Sequence, residues 1–183
     1  MKSLATEIPG VYILESTALS DSRGAFSRLF CSRELGDVVG ARTIVQINHS
    51  MTHRVGAIRG LHYQLPPHAE MKIVRCLKGR VFDVAVDLRR DSPSFLRWTA
   101  VELTPESGRA LVIPEGCAHG FQVLESDSEL LYLHSEFYAP DAEGGVRFDD
   151  PRVGVQWPLE PTDLSDRDMG HPRIEESFEG IVL

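Results

Sequence analysis

Two histidines occur in glycine-bearing segments whose residue types are suited to proton transfer. The first, His62, lies in the segment RGLHYQ at 59–64 and precedes Lys72 by ten residues. The second, His119, ends the pattern G-x5-P-x-G-x2-H at 108–119. Each lies in or beside a β-prone run, so two imidazoles, a lysine and an arginine could point into one barrel. A basic, partly desolvated pocket of this kind suits an anionic substrate that must lose a proton from carbon.

His62 is interpreted as a general base. An imidazole titrates close to neutral pH, so it can accept a proton and hold it. A carboxylate behind the ring would fix the tautomer and stabilise the imidazolium. A lone histidine in a strand more often serves packing, but Arg59, Lys72 and His119 accompany this one. The group therefore favours a functional site.

A metal centre is the alternative chemistry for the same histidines. The segment 109–119 resembles the second motif of the cupin jelly roll, whose metal centres usually take an HxH pair, a glutamate and a second-motif histidine. The first-motif place holds His62-Tyr63-Gln64, so one imidazole is missing and Glu70 would have to replace it. Glutamine is a poor ligand for transition metals, which favour several nitrogen donors. No metal and no other cofactor is predicted.

Length and charge limit the class of protein. The 183 residues suffice for one domain with a core, predicted to span 1–183. The net charge of −8 argues against nucleic-acid binding, which needs a basic face. No apolar run approaches bilayer length, and the first residues lack the apolar core of a secretory signal. A cytoplasmic protein that does not bind membranes is predicted.

The three cysteines form no CxxC pair, and an odd number fits a reducing compartment. Cys117 lies two residues before His119, which raises the question of a nucleophilic thiol. Small buried cysteines are common, so packing is the favoured interpretation of Cys117.

Short β-prone runs separated by turns predict an all-β sandwich or barrel. The predicted strands are 11–14, 25–30, 43–48, 57–64, 70–77, 80–88, 98–103, 109–113, 119–124 and 129–137. A short helix is predicted from Ser32 at the N-cap to Val39, with Gly40 ending it, and a second brief helix after residue 164. In strand 80–88, alternation places Asp83 and Asp87 on one face. Two acidic side chains on one face are typical of an exposed face, so this face is predicted to be exposed.

Several motifs, in consistent order and spacing, resemble the dTDP-4-dehydrorhamnose 3,5-epimerase family. They are RGLHYQ at 59–64, KIVR at 72–75, GRVFDVAVDLR at 79–89, IPEGCAHGF at 113–121, LY at 131–132, YAP at 138–140, Glu143, DDP at 149–151 and LSDRD at 164–168. The resemblance covers nearly the whole chain. It implies a cupin-like double-stranded β-helix, or jelly roll, with a few short peripheral helices. It also implies a homodimer that inverts C3, C5 or both in a nucleotide-linked 4-keto-6-deoxy sugar, without a metal.

The resemblance further implies roles for individual residues. His62 would be the base, with Asp168 completing a His–Asp dyad. Tyr132 would be the acid on the opposite face of the sugar, and Lys72 would stabilise the enolate. The implied substrate-binding positions are His119 at the sugar, Arg59 at the diphosphate, Arg23 and Phe26 at the nucleotide of the neighbouring subunit, and Gln46, Asn48, Tyr138, Glu143 and Arg167.

Three departures from the family pattern leave alternatives open. Arg28 stands where many members have glutamate, near the expected nucleobase. Leu133-His134-Ser135 follow the tyrosine where many members have a Lys-Thr pair, and Arg167 stands where lysine is frequent. The alternatives are an epimerase of a single carbon or of another nucleotide sugar, a metal-dependent cupin enzyme, and a binding module without chemistry.

Overall fold

The chain forms thirteen strands and two short helices in a computed structural model that describes all residues from 1 to 183. The strands are β1 Lys2–Ala5, β2 Tyr12–Glu15, β3 Leu19–Asp21, β4 Gly24–Phe26, β5 Gln46–Thr52, β6 Ile58–Gln64, β7 Lys72–Lys78, β8 Val81–Asp87, β9 Trp98–Leu103, β10 Arg109–Ile113, β11 Cys117–Val123, β12 Ser128–His134 and β13 Glu143–Gly145. The helices are α1 Gly36–Val39 and α2 Asp166–Gly170, with a 3₁₀ turn at Pro140–Ala142. Neither helix has the length and apolar character needed to cross a membrane.

Eleven of the strands build two antiparallel sheets. One sheet has the order β1-β2-β10-β7-β12-β5, and the other has the order β13-β6-β11-β8-β9. The remaining strands, β3 and β4, pair only with each other in a separate hairpin. Facing antiparallel sheets with short peripheral helices confirm the predicted all-β, cupin-like jelly roll.

The core follows from strand alternation, since successive side chains point to opposite faces of a sheet. In β7, Val74 and Cys76 pack into the cluster between the sheets, whereas Ile73 packs into a second cluster on the outer face. Lys72 therefore shares the inner face with Val74 and Cys76. The outer face of the other sheet carries a third cluster, which the C-terminal segment helps to cover through Ile181.

The predicted exposure of Asp83 and Asp87 is wrong. The alternation itself is as predicted, but the shared face is the inner one, and both carboxylates are fully buried. Val84 and Val86 on the opposite face are buried as well, beneath the C-terminal segment. With both faces of β8 covered, each acid needs a polar partner, and each has one.

The predicted helix from Ser32 is too long at its N-terminal end. Residues 32–35 form turns, α1 begins at Gly36, and Leu35 occupies the N-cap without a side-chain capping bond. Gly40 ends the helix at φ +61°, as predicted. Likewise the predicted strand 25–30 ends at Phe26, because the hairpin stands apart and later residues meet no strand to pair with.

Candidate active site

A cavity of about 640 Å³ lies between the two sheets. The predicted site residues that line it are Asn48, Arg59, His62, Lys72, His119, Tyr132, Tyr138, Glu143, Arg167 and Asp168. The structure thus brings together ten of the thirteen predicted positions. Gln46, Arg23 and Phe26 do not line it.

A close backbone contact sets the positions of the two histidines. β6 and β11 pair so that His62 and His119 lie opposite each other, with an irregular register just beyond His119. At that point a Cβ on Gly60 would lie 2.5 Å from the Cα of Gly120, and Gly60 has a φ of +132°. Only glycine fits such an approach, because a side chain would collide with the partner backbone.

His62 forms a hydrogen-bonded pair with Asp168. The Nε2 atom of His62 lies 2.7 Å from Oδ1 of Asp168. Burial disfavours the charge of Asp168, but the His62 hydrogen bond and the Ser165 hydroxyl outweigh burial and lower the pKa of the carboxyl. An ionised carboxylate only accepts hydrogen bonds, so Nε2 carries the ring proton and Nδ1 carries the free lone pair.

Helix α2 presents Asp168 to the cavity. Ser165 caps this helix, accepting a hydrogen bond from the backbone amide of Asp168 at 3.1 Å. A serine at the N-cap satisfies an amide that has no partner within the helix. The sequence LSDRD therefore encodes both the start of the helix and the direction of the carboxylate.

His119 forms a second histidine–carboxylate pair deeper in the core. Its Nε2 atom lies 2.7 Å from Oδ1 of Asp83, and both side chains are buried. Burial raises the pKa of Asp83, although His119 partly opposes the shift. The pair fixes the orientation of the His119 ring, which stacks on Phe121 and meets Tyr132 edge-on at 5.9 Å between ring centroids.

Tyr132 reaches the cavity from β12 in the opposite sheet. Its neighbour across β7 is Val74, and its ring stacks on His134 at 6.0 Å between centroids. Burial raises the pKa of the Tyr132 phenol. The hydroxyl therefore stays protonated and can donate a proton at neutral pH.

Lys72 belongs to a polar chain along the wall of the cavity. Its ammonium lies 3.1 Å from Oε1 of Glu70, whose Oε2 lies 2.7 Å from Nδ1 of His134. The other ring nitrogen of His134 lies 3.3 Å from the side-chain nitrogen of Asn48. Burial opposes the charge of Glu70, but His134 and Lys72 lower the pKa of Glu70 on balance. Lys72 is thus held beside the cavity by an ionised carboxylate.

The mouth of the cavity carries more exposed polar groups. The Tyr138 hydroxyl donates to Glu143 at 2.9 Å, and Arg167 pairs with the same carboxylate. Arg59 is held by its Nε donating to the Thr52 hydroxyl at 2.9 Å. A guanidinium group such as that of Arg59 suits a ligand with a diphosphate.

The hairpin of β3 and β4 holds Arg23 and Phe26 away from this cavity. Phe26 is 69% exposed, and Arg23 pairs with Asp21 within the hairpin. Arg28, which follows the hairpin, pairs with Glu34. Gln46 also lies outside the cavity lining, where its side-chain oxygen accepts from the Tyr138 amide at 3.2 Å. Within one chain, these positions contribute no side chain to the lining.

The donors considered for a cupin metal centre are engaged in separate contacts. His119 faces Asp83, and both Glu70 oxygens face His134 and Lys72. The Gln64 oxygen accepts from the backbone amide of residue 139 at 2.7 Å. These side chains do not converge on one point, so the geometry does not favour a metal bound by them.

Cys117 is not suited to nucleophilic chemistry. It is 5% exposed, and burial raises the pKa of its thiol to about 12. The thiolate, which is the reactive form, is therefore scarce at neutral pH. The packing interpretation of Cys117 agrees with this position.

Sequence reasoning missed several polar groups around the site. From the sequence alone, Asp83 is predicted on an exposed face, and His134 stands only as a departure from the family pattern. Glu70 is a candidate only as a metal ligand, and His171 has no predicted role. Neighbouring strands bring Glu70, Lys72 and His134 together, and no single segment contains the three.

Comparison with known proteins agrees with this arrangement. The family model described as dTDP-4-dehydrorhamnose 3,5-epimerase matches residues 5–176. A relative of that name from Shigella flexneri is 44% identical over 178 residues, covering 97% of this chain and 98% of its own. The crystal structure of dTDP-4-dehydrorhamnose 3,5-epimerase from Elizabethkingia anophelis matches with a TM-score of 0.91 at 35% identity, covering 97% of this chain and 98% of that one.

A third similar structure has a narrower activity in its name. It is a 3′-monoepimerase from Streptomyces bikiniensis in complex with dTDP-quinovose, with a TM-score of 0.85 at 36% identity, covering 92% of this chain and 85% of that one. The range 5–176 matched by the family model includes the strands that carry the histidines, the lysine and the tyrosine of the cavity. The chain belongs to the dTDP-4-dehydrorhamnose 3,5-epimerase family.

Proposed function

We propose that this chain is an epimerase that inverts C3, C5 or both in a dTDP-linked 4-keto-6-deoxy sugar, without a metal or other cofactor. The observation that carries the proposal is the convergence of His62 with its carboxylate, Lys72 and Tyr132 on one cavity. Family membership supports the substrate class. These side chains supply the base, the acid and the positive charge that the reaction needs.

His62 removes the proton from the carbon next to the ketone. Its Nδ1 lone pair is available because Nε2 donates to Asp168. As the C–H bond breaks, its electrons form a C=C bond and the ketone oxygen becomes an enolate. The imidazolium that results is stabilised by the Asp168 carboxylate.

Lys72 stabilises the enolate where its charge develops. An ammonium fixed beside the reacting oxygen acts in the transition state more than in the ground state. Its contact with Glu70 holds the ammonium in place. His119, oriented by Asp83, binds the sugar from the other sheet.

Tyr132 returns a proton to the opposite face of the carbon. The phenol is protonated because burial raises its pKa, and it comes from the sheet facing His62. Collapse of the enolate restores the ketone with inverted configuration, and exchange with solvent returns both groups to their starting state. The guanidinium group of Arg59 binds the diphosphate, which supplies binding energy remote from the reacting carbon, and in the proposed homodimer Arg23 of the partner subunit is the second candidate for this contact.

We propose further that the active form is a homodimer of the single domain 1–183 in the cytoplasm. The exposed Leu19 and Phe26 of the β3–β4 hairpin support this, because a partner subunit would cover them. Arg23 and Phe26 would then reach the nucleotide bound by the neighbouring chain. Light scattering at micromolar concentration measures this directly, and a monomer would contradict it.

Solvent exchange tests the activity. In deuterated water, proton NMR should show loss of the C3 or C5 proton signals of dTDP-4-keto-6-deoxyglucose when the protein is added. Product analysis then distinguishes inversion of one carbon from inversion of two, and a panel of other nucleotides tests the base. Absence of exchange with every 4-keto nucleotide sugar, using folded protein, would overturn the proposal.

Tyr132→Phe should separate proton removal from proton return. We expect inversion to fall by about 10²–10⁴-fold, the usual contribution of a positioned acid, because phenylalanine has no proton to donate. Exchange with retained configuration should persist, since His62 still removes and returns protons on its own face. One carbon should be affected more than the other.

Deuterium incorporation and product configuration, followed together by NMR, measure this separation. Tyr12→Phe, which alters a tyrosine of β2 outside the cavity, is the control. Equal loss of exchange and inversion in Tyr132→Phe would show that Tyr132 is not the acid.

A further inference from the structure

His171 lies beside the catalytic pair and has no part in the reaction proposed above. It follows α2 directly, and its ring meets the His62 ring edge-on at 5.3 Å between centroids. Its Nε2 atom lies 3.8 Å from Oδ1 of Asp168, which is too long for a hydrogen bond. That nitrogen is buried and has no hydrogen-bond partner. A buried nitrogen without a partner requires an explanation.

The backbone of β13 fixes the position of the His171 ring. A Cβ on Gly145 would lie 2.4 Å from the ring, so the imidazole packs directly on the glycine. Gly145 in turn pairs with His62 across the sheet. His62 lies on β6 and the His171 ring packs on the neighbouring strand β13, so the two imidazoles lie side by side.

We propose that His62, Asp168 and His171 form an inhibitory binding site for a divalent transition metal ion such as Zn²⁺ or Co²⁺. One ligand atom from each of these side chains lies within 4.8 Å of the other two. Two imidazole nitrogens and one carboxylate oxygen are a donor set that these metals prefer.

Only small movements are needed to bind the ion. Ligands about 2.1 Å from a tetrahedral ion are about 3.4 Å apart. The 2.7 Å contact between His62 and Asp168 would open, and the 3.8 Å contact between His171 and Asp168 would close. Water would complete the coordination from the cavity.

Inhibition follows from the chemistry of the His62 ring, and this part rests on the proposed function. A neutral imidazole has one N–H and one lone pair. When the metal takes the Nε2 lone pair, the proton that Nε2 carried moves to Nδ1. Nδ1 then has no lone pair for the substrate proton, so the base is blocked while the ion remains bound.

Cobalt gives a measurement of binding that does not depend on activity. Co²⁺ added to metal-free protein without substrate should produce a visible d–d absorption band that saturates at one ion per chain. In His171→Asn and His171→Gln the affinity for Co²⁺ should fall by at least about 10–100-fold, the loss seen when even an indirect partner of a metal ligand is removed. His53→Asn is the matched control, because His53 and Asp127 form an exposed pair with a 2.7 Å contact and no third ligand.

The second measurement is epimerase activity with added Zn²⁺. Wild-type protein should be inhibited reversibly, with activity restored by a chelator, and Mg²⁺ should not inhibit because it prefers oxygen ligands. The two His171 variants should keep activity within a few-fold of wild type and resist Zn²⁺, which also shows that they fold. Their resistance excludes chelation of the substrate diphosphate as the cause, because chelation would inhibit every variant equally. His53→Asn should remain sensitive, which shows that loss of an unrelated histidine does not give resistance.

The outcomes distinguish failure of the proposed metal site from failure of the proposed epimerase mechanism. No cobalt band in wild type, or an unchanged band in both His171 variants, overturns the metal site. A band that depends on His171 without any loss of activity supports the metal site and overturns the assignment of His62 as base.

Discussion

Replacing His62 with alanine should lower the rate of deuterium exchange into the sugar by about 10³–10⁴-fold, near the upper range for a positioned general base. The methyl group of alanine leaves no lone pair at the position of Nδ1. Asp168 would remain, but its oxygens face the ring and not the substrate. Exchange at both carbons should fall together if one base serves both. The measurement is proton NMR in deuterated water at saturating substrate.

Substrate affinity separates this effect from a general disturbance of the cavity. The Arg59 guanidinium, which is proposed to bind the diphosphate, is untouched by the substitution and is held by Thr52, so dTDP should bind His62→Ala with nearly unchanged affinity. His68→Ala alters an exposed histidine outside the cavity lining and should keep full activity. If His62→Ala retained more than about a tenth of the wild-type rate, the base would have to be another group.

The second large effect is expected for Asp168→Asn. An amide NH₂ directed at Nε2 of His62 would favour the tautomer with its proton on Nδ1, which removes the lone pair from the substrate side. In the serine-protease triad, where an aspartate holds a histidine in the same way, this change lowers kcat by about 10⁴-fold. We expect a loss of about 10³-fold or more in the exchange rate.

A neighbouring residue supplies the control for this variant. Asp166→Asn removes a carboxylate from the first turn of the same helix, but Asp166 is exposed and lies outside the cavity. It should retain wild-type exchange. Equal activity of the two variants would contradict the dyad.

Asp168 also gives the stability of the protein a defined pH dependence. Its pKa is lowered in the folded state, since the contacts with His62 and Ser165 outweigh burial. The ionised carboxylate therefore stabilises the folded state above the usual carboxyl range, and this contribution is lost as pH falls through the lowered pKa. The difference in Tm between wild type and Asp168→Asn should be largest near neutral pH and shrink towards about pH 3. A difference that grew towards acid would contradict the lowered pKa.

The sequence predicted nine of the eleven strands of the two sheets, because their alternation and turns are local signals. It did not predict the short edge strands Lys2–Ala5 and Glu143–Gly145. Trp98–Leu103 and Arg109–Ile113 agree with their predicted bounds. The helix near Ser32 was predicted too long, because a capping preference at Ser32 is a local signal and the observed helix begins only at Gly36, between the buried Leu35 and Val39. The face taken by Asp83 could not be predicted, since β8 is covered on both sides and alternation alone does not say which side holds a buried partner.

The residues proposed for proton transfer were identified through the resemblance to the family, and the structure brings them to one cavity. The polar chain behind Lys72 could not be predicted from the sequence. Its members come from β7, from β12 and from the segment before β7, and the pairing register between two strands is not a local property of either one. Arg23 and Phe26 lie outside the cavity of their own chain, so their predicted roles apply to the cavity of a second chain in the proposed homodimer. Their roles remain predictions.

The contact between Gly60 and Gly120 limits how the enzyme can be redesigned. Any larger residue at either position would push the two strands apart and change the spacing between the imidazoles. The floor of the cavity is therefore a poor target for mutagenesis libraries that seek new sugars or nucleotides. Variation is better directed to exposed residues at the rim such as Tyr138, where a side chain can change without moving the backbone of β6 and β11.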